Sequence, residues 1–232
     1  MKTITCVKNI GLVLAFGLGS MVQVHAQSVE RYVSFDVHNP KALMSALDTF
    51  HESNVMEGST RSLWAAQFDG SSPVSHVLVI GYEDYAELQM MDERVQPSQA
   101  WDDYLEASAD TSDVMAVSLG VQQLVDGDGW HNHGAAMVFN MTVSDAGRYA
   151  TAFNRLIGSA ENPGSVRLIQ MRAGGEGASH IAAITAPDFT TLNTYIDELF
   201  ASRDYARFID EVSDIRRINN TAIYRRVRTW DN

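Results

Sequence analysis

Two stretches 104 positions apart carry one pattern: Ser75-His76-Val77-Leu78-Val79-Ile80 followed by Asp84-Tyr85 and Leu88, then Ser179-His180-Ile181-Ala182-Ala183-Ile184 followed by Asp188-Phe189 and Leu192. The same offset joins Trp101 to Tyr205, Tyr104 to Phe208 and Leu105 to Ile209, and upstream it aligns Val33 with Met137 and Phe35 with Phe139. A chain that repeats itself at this period is built from two similar units of about 100 residues, each expected to bury one face against the other.

Periodicity gives each unit the same order of elements. In the first, Tyr32 to Val37 alternates as a strand, and Asn39-Pro40 opens a helix with Leu43, Ala46, Leu47 and Phe50 at helical spacing. Leu63 to Phe68 and His76 to Ile80 read as a hairpin around Asp69-Gly70-Ser71-Ser72-Pro73. Asp84 caps a helix that Pro97-Ser98 interrupts, a shorter helix carries Trp101 and Tyr104, and Val114 to Val125 is a closing strand. The second unit repeats this from Ala136 through a helix over 144–157, strands near 166–171 and 180–185, two helices, and a last strand around 221–227. Between them, residues 127–134 form a polar, glycine-rich linker, so the units are placed at 27–126 and 135–232.

Residues 1–26 read separately. Lys2 and Lys8 precede an apolar run from Ile10 to Val24 that ends in Val24-His25-Ala26, the form of a secretory signal peptide cleaved after Ala26. The run falls short of the roughly 20 residues of a membrane-spanning helix. The expectation is an exported protein, periplasmic or secreted, with no membrane attachment after cleavage. The only cysteine, Cys6, precedes the run, so the mature chain has no disulfide and no thiol chemistry.

The net charge of −12 hides an imbalance: residues 27–129 hold 4 Lys and Arg against 18 Asp and Glu, whereas residues 130–232 hold 11 of each. An acidic first unit excludes nucleic acid as a partner, since that interface needs a basic face. Arg216, Arg217, Arg225, Arg226 and Arg228 either face the acidic unit internally or lie on a solvated strand, the second being favoured because exposed charge pairs stabilise little.

A βαββ(α)αβ unit makes a four-stranded antiparallel sheet with helices on one face, and a second copy is the natural cover for the other. On this order and duplication the chain resembles the dimeric α+β barrel superfamily of ferredoxin-like domains, as a fused tandem duplication. The resemblance implies an α+β fold of two tandem units packed sheet to sheet. It also implies a range of functions, from cofactor-independent monooxygenases acting on aromatic polyketides and lactone isomerases to haem enzymes and stress-responsive proteins, among which fold does not choose. A fused pair has satisfied internally the contact that makes its relatives dimerise, so a monomer is expected.

His76 and His180 recur at the start of the third strand of each unit and are the candidate bases or metal or haem ligands, against a purely structural role that duplication alone would preserve. Gln67 and Gln170, in the second strands, are candidate ligand anchors, with Arg172 and Arg167 beside them. Trp64, Tyr82, Trp101, Tyr104, Tyr149, Phe153, Tyr205 and Phe208 can line an apolar pocket between sheet and helices. Leu78 and Val79 become Ala182 and Ala183, so the second unit has the more room.

His131-Asn132-His133 lacks a third ligand at a recognised spacing, and no metal site is assigned. There is no Gly-x-Ser-x-Gly elbow, phosphate loop or dinucleotide fingerprint. The chain is expected to bind a small apolar or aromatic molecule without an evident catalytic motif or an assigned cofactor. The alternatives are a cofactor-independent monooxygenase or isomerase with a histidine base, or a haem-binding barrel.

Overall fold

The computed structural model describes residues 28–127, 129–159, 161–175 and 177–230. The expected signal peptide lies outside the described residues. The order is β1 (Val29–Val37), α1 (Pro40–Glu52), β2 (Thr60–Phe68), β3 (His76–Tyr82), α2 (Tyr85–Val95), α3 (Gln99–Ser108), β4 (Ser112–Asp126), β5 (Ala135–Val143), α4 (Ala146–Ile157), β6 (Ser165–Ala173), β7 (His180–Ala186), α5 (Phe189–Ala201), α6 (Arg203–Val212) and β8 (Arg216–Trp230). Short 3-10 turns at Asn54–Met56 and Trp130–Asn132 complete it.

Each helix starts where the sequence supplies a cap. Asn39, Asp84, Ser98, Asp145, Asp188 and Ser202 each accept a backbone N–H of the first turn, and Pro40 occupies the first helical position of α1.

The eight strands form a closed antiparallel barrel in the order β1-β3-β2-β8-β5-β7-β6-β4. Within each half the order is that of a ferredoxin-like sheet, and the two 15-residue strands make the seams. After running beside β1, β4 continues onto β6, where Leu119–Asp126 pair with Ala173–Val166. Likewise β8 runs beside β5 and then pairs with β2 through Ile223–Trp230. Closure removes the sheet edges along these seams.

Both faces of the strands are covered, as in few antiparallel sheets. One face meets the helices in two cores. The first is built on Leu43, Leu47, Phe50, Leu63, Leu78 and Ile80, the second on Tyr149, Phe153, Leu168, Ala182, Leu192 and Phe208. The other face turns into the barrel, where Trp64, Val79 and Ala136 form a small third cluster with Tyr32, Val77, Trp130 and Tyr224 beside it.

The register revises the alignment of the two halves. Phe35 lies opposite His76, whereas Met141, not Phe139, lies opposite His180. The offset is therefore 106 residues at β1 and 104 from β3 onward, the first half being two residues longer in between. The proposed pairing of Val33 with Met137 and of Phe35 with Phe139 is thus slipped by two. A two-residue slip keeps every side chain on its own face, which is why the sequence pattern does not expose it. Gln67 and Gln170 are not equivalent either: Ala65 pairs with His76, while Gln170 pairs with His180.

Candidate functional site

Alternation along the strands sends Tyr32 and Ser34 of β1, Trp64 of β2, Val77 and Val79 of β3, and Ala136, Val138 and Asn140 of β5 into the barrel. With Arg167 and Met171 of β6, Ile181, Ala183 and Thr185 of β7 and Tyr224 of β8, they enclose a cavity of about 240 Å³. Gly120 of β4 also faces inward. A Cβ there would stand 2.5 Å from Ile169 Cγ2 and 3.4 Å from the Tyr32 ring, so glycine lets two inner side chains meet.

One end of the cavity is a buried polar floor. Glu30 is fully buried and accepts hydrogen bonds from the Tyr32 hydroxyl, from Gln122 Nε2 at 2.5 Å and from the Arg167 guanidinium. The Arg167–Glu30 pair joins the two halves over β4, the strand between β1 and β6, and the Arg167 guanidinium lies 4.2 Å from the centroid of the Trp130 ring. Burial and the neighbouring Glu30 carboxylate push the Tyr32 hydroxyl well above its ordinary pKa, so it remains a neutral donor.

The linker closes this end from outside. Arg226 Nη1 and Thr229 Oγ1 donate to the His131 carbonyl at 3.0 and 2.8 Å, and His133 Nδ1 lies 2.7 Å from Thr185 Oγ1.

The other end is a mouth flanked by the hairpin loop 69–75 and by Gly174, Gly175 and Ala178 of the opposite hairpin. Asp69, Ser72, Asn140, Asn219, Asn220 and Ser118 line it. Asn220 Nδ2 donates to Asp69 Oδ1 at 2.5 Å, and the Tyr224 hydroxyl lies beside the same carboxylate, burial first and then Asp69 raising its pKa.

Of the histidine, glutamine and arginine residues singled out from sequence, Arg167 alone lines this cavity. His76 and His180 share a strand face with Leu78 and Ala182, and that face packs under the helices. Their Nδ1 atoms meet Ser75 Oγ at 3.0 Å and Ser179 Oγ at 2.9 Å, and burial lowers both imidazole pKa values. Gln170 lies on the helix side of β6. Gln67 is exposed, its Nε2 donating to the Ala66 carbonyl at 3.3 Å, and Arg172 is exposed on the outer face.

The aromatic residues divide in the same way. Trp64 faces the barrel, while Tyr149, Phe153, Tyr205 and Phe208 border a second space of about 40 Å³ under α4–α6. The room expected from the paired alanines is present on both sides of one strand, Ala182 opening onto this small gap and Ala183 onto the barrel.

Several polar groups were missed from sequence: Glu30, Tyr32, Gln122 and Asp69. The readable signal was the acidic or amide residue interrupting an apolar strand face.

A haem does not fit these residues as they stand. Among the described residues no histidine lines the barrel cavity, and the gap beneath the helices, bordered by Tyr149 next to His180, is only about 40 Å³. Among the described residues no group of three or more His, Cys, Asp or Glu could hold a metal ion, and no helix is long and apolar enough to cross a membrane.

No protein-family model matches the chain, and no curated protein matches it in sequence. Its fold is that of the dimeric α+β barrels, with both halves on one polypeptide. A candidate monooxygenase from Fusobacterium nucleatum superposes with a TM-score of 0.62 at 13% identity, covering 90% of this chain and 96% of that one. An anthrone oxidase-like protein gives 0.56 at 12%, covering 89% and 93%, and a candidate chlorite dismutase gives 0.52 at 11%, covering 88% and 96%. Likeness at such identities is likeness of fold.

Proposed function

We propose that this protein is exported and binds a small apolar or aromatic molecule inside its barrel. The observation that carries the reading is the cavity itself: Val77, Val79, Val138, Ile181 and the rings of Trp64 and Tyr224 wall a space whose polar groups are gathered at its two ends. Apolar walls with a few fixed polar groups are the usual form of a small-molecule site. The volume of about 240 Å³ suits a compact ligand of one or two rings.

The signal-like segment at residues 1–26 supports the export half of the reading. Native mass spectrometry of residues 27–232 recovered from export, compared with the denatured mass, tests both halves: an added organic mass and cleavage after Ala26 are expected. If the protein is bare and its melting temperature is unmoved by a panel of one- and two-ring compounds, the binding reading is lost.

The neighbours described as monooxygenase and anthrone oxidase-like favour a second reading, a cofactor-independent oxygenase or isomerase working in the same cavity. In that case the fixed groups at hand are Tyr32 on the Glu30–Arg167 floor and Tyr224 on Asp69, which can hold a ligand hydroxyl or carbonyl. Oxygen consumption with phenolic two-ring substrates, lost in Tyr32→Phe and Tyr224→Phe, distinguishes catalysis from storage.

A further inference from the structure

The cavity has one charge with no counter-charge. Among the described residues two ionic side chains line it, Arg167 and Asp69. Arg167 at the floor is neutralised by Glu30. Asp69 at the mouth has no cation within ion-pair distance among the described residues, and the groups beside it are neutral, the Asn220 amide and the Tyr224 hydroxyl. Arg172 and Arg217, on strands that reach the same end, are exposed.

A carboxylate offers about four acceptor sites, and these two neutral groups can occupy at most half of them. Asp69 is itself half-buried. A half-desolvated carboxylate with free lone pairs favours a positive partner.

The surroundings add to the same preference. Ala66 pairs with Tyr224 and Trp64 with Arg226, so the Trp64 and Tyr224 rings are diagonal neighbours on the inner wall just below Asp69. Aromatic faces next to a carboxylate attract an organic cation. The first half, which supplies Asp69, carries 18 acids against 4 basic residues and so draws cations toward the molecule. One carboxylate with two neutral groups is too few oxygen ligands for calcium or magnesium.

Resting on the cavity reading above, we infer that the ligand is a cation, a one- or two-ring apolar body bearing a protonated amine that seats on Asp69 at the mouth. The ring system then occupies the apolar middle, and the floor, already neutral, receives no further charge.

The test uses three probes with one ring system: naphthylmethylamine, naphthalenemethanol and naphthoate, titrated into the mature protein at low salt and followed by tryptophan fluorescence. The amine is expected to bind about tenfold more tightly than the alcohol, with the acid weakest. Asp69→Asn is expected to abolish the difference between amine and alcohol while the alcohol still binds. Asp110→Asn, which removes an exposed acid on the same half, is expected to leave the preference in place.

Equal binding of alcohol and amine to the wild type, or an amine preference that survives Asp69→Asn or vanishes in Asp110→Asn, overturns the inference and leaves the cavity reading standing. Failure of all three probes to bind a protein shown folded by circular dichroism overturns both.

Discussion

The two halves share a backbone plan and differ most where they face each other. With the register as the guide, Glu30 corresponds to Ala136, Tyr32 to Val138, Ser62 to Arg167, Trp64 to Ile169, Val79 to Ala183 and Gly120 to Tyr224. Toward the helices many exchanges are apolar for apolar, as in Leu63 to Leu168, Leu78 to Ala182 and Phe35 to Met141, with the buried pair Arg61 and His51, which become Val166 and Ile157, as the exception. A barrel made of two identical chains would carry every inner residue twice. Fusion frees each copy, and here the freedom has gone into the inner wall: the first half supplies the acid of the floor and the second its base.

Restoring symmetry should therefore damage the molecule unequally. The largest effect is expected from Arg167→Ser, which gives the second half the first half's residue and leaves Glu30 buried without its ion: a loss of about 3–5 kcal/mol in urea unfolding. Adding Glu30→Ala, the matching change on the other side, should recover much of that loss, because the pair acts as one unit. If the double variant is as unstable as the sum of the singles, the floor is not a coupled pair.

Next comes acid sensitivity. His51 in α1 is buried against Arg61 and Trp230, and burial first, then the Arg61 charge, lower its pKa from 6.5 to about 3. Because the folded value lies below the unfolded one, the unfolded chain takes the proton first as pH falls. Stability present above pH 6.5 is lost from there toward about pH 3. The slope approaches about 1.4 kcal/mol per pH unit for this group. The equivalent position in α4 is the apolar Ile157, so His51→Ile should flatten the unfolding midpoint against pH over that window. An unchanged pH profile would mean the acid sensitivity lies elsewhere.

Smaller still is Ala183→Val, which copies Val79 into the roomier wall. It should leave stability within about 1 kcal/mol and weaken two-ring ligands several-fold by calorimetry, since it takes space from the cavity instead of a packed core. The smallest effect is expected at the seam, where Asp48 accepts from Arg228 Nε at 3.1 Å and from Trp230 Nε1 at 2.8 Å. This contact is partly exposed, and Asp48→Asn should cost less than about 1 kcal/mol in thermal unfolding.

The order of elements, the duplication and the caps were legible because each leaves a local mark: a period, a turn residue, an Asn or Asp before an apolar helix. Which strand face looks into the barrel was not. In β3 both faces are apolar, Val77 and Val79 inward and Leu78 and Ile80 outward, so periodicity cannot say which way His76 turns. The repeated histidines thus drew attention to the face that packs under helices, while the floor depends on residues that are not repeated at all. Arg167 was reachable as a basic residue in an apolar strand. Its partner Glu30 lies 137 positions away, a distance only the closed register bridges.

The long strands that stitch the halves together also set a problem of timing. During synthesis β1 to β4 emerge well before the second half; the far half of β4 has no neighbour until β6 follows and the outer edge of β2 none until β8, and meanwhile Trp64, Val77 and Val79 look onto solvent instead of onto the facing sheet. For that interval the nascent chain is an unfinished sheet with open edges and an apolar face, the kind of surface that recruits another copy of itself. The gain of an asymmetric interior thus comes with a window of vulnerability that closes when β8 arrives.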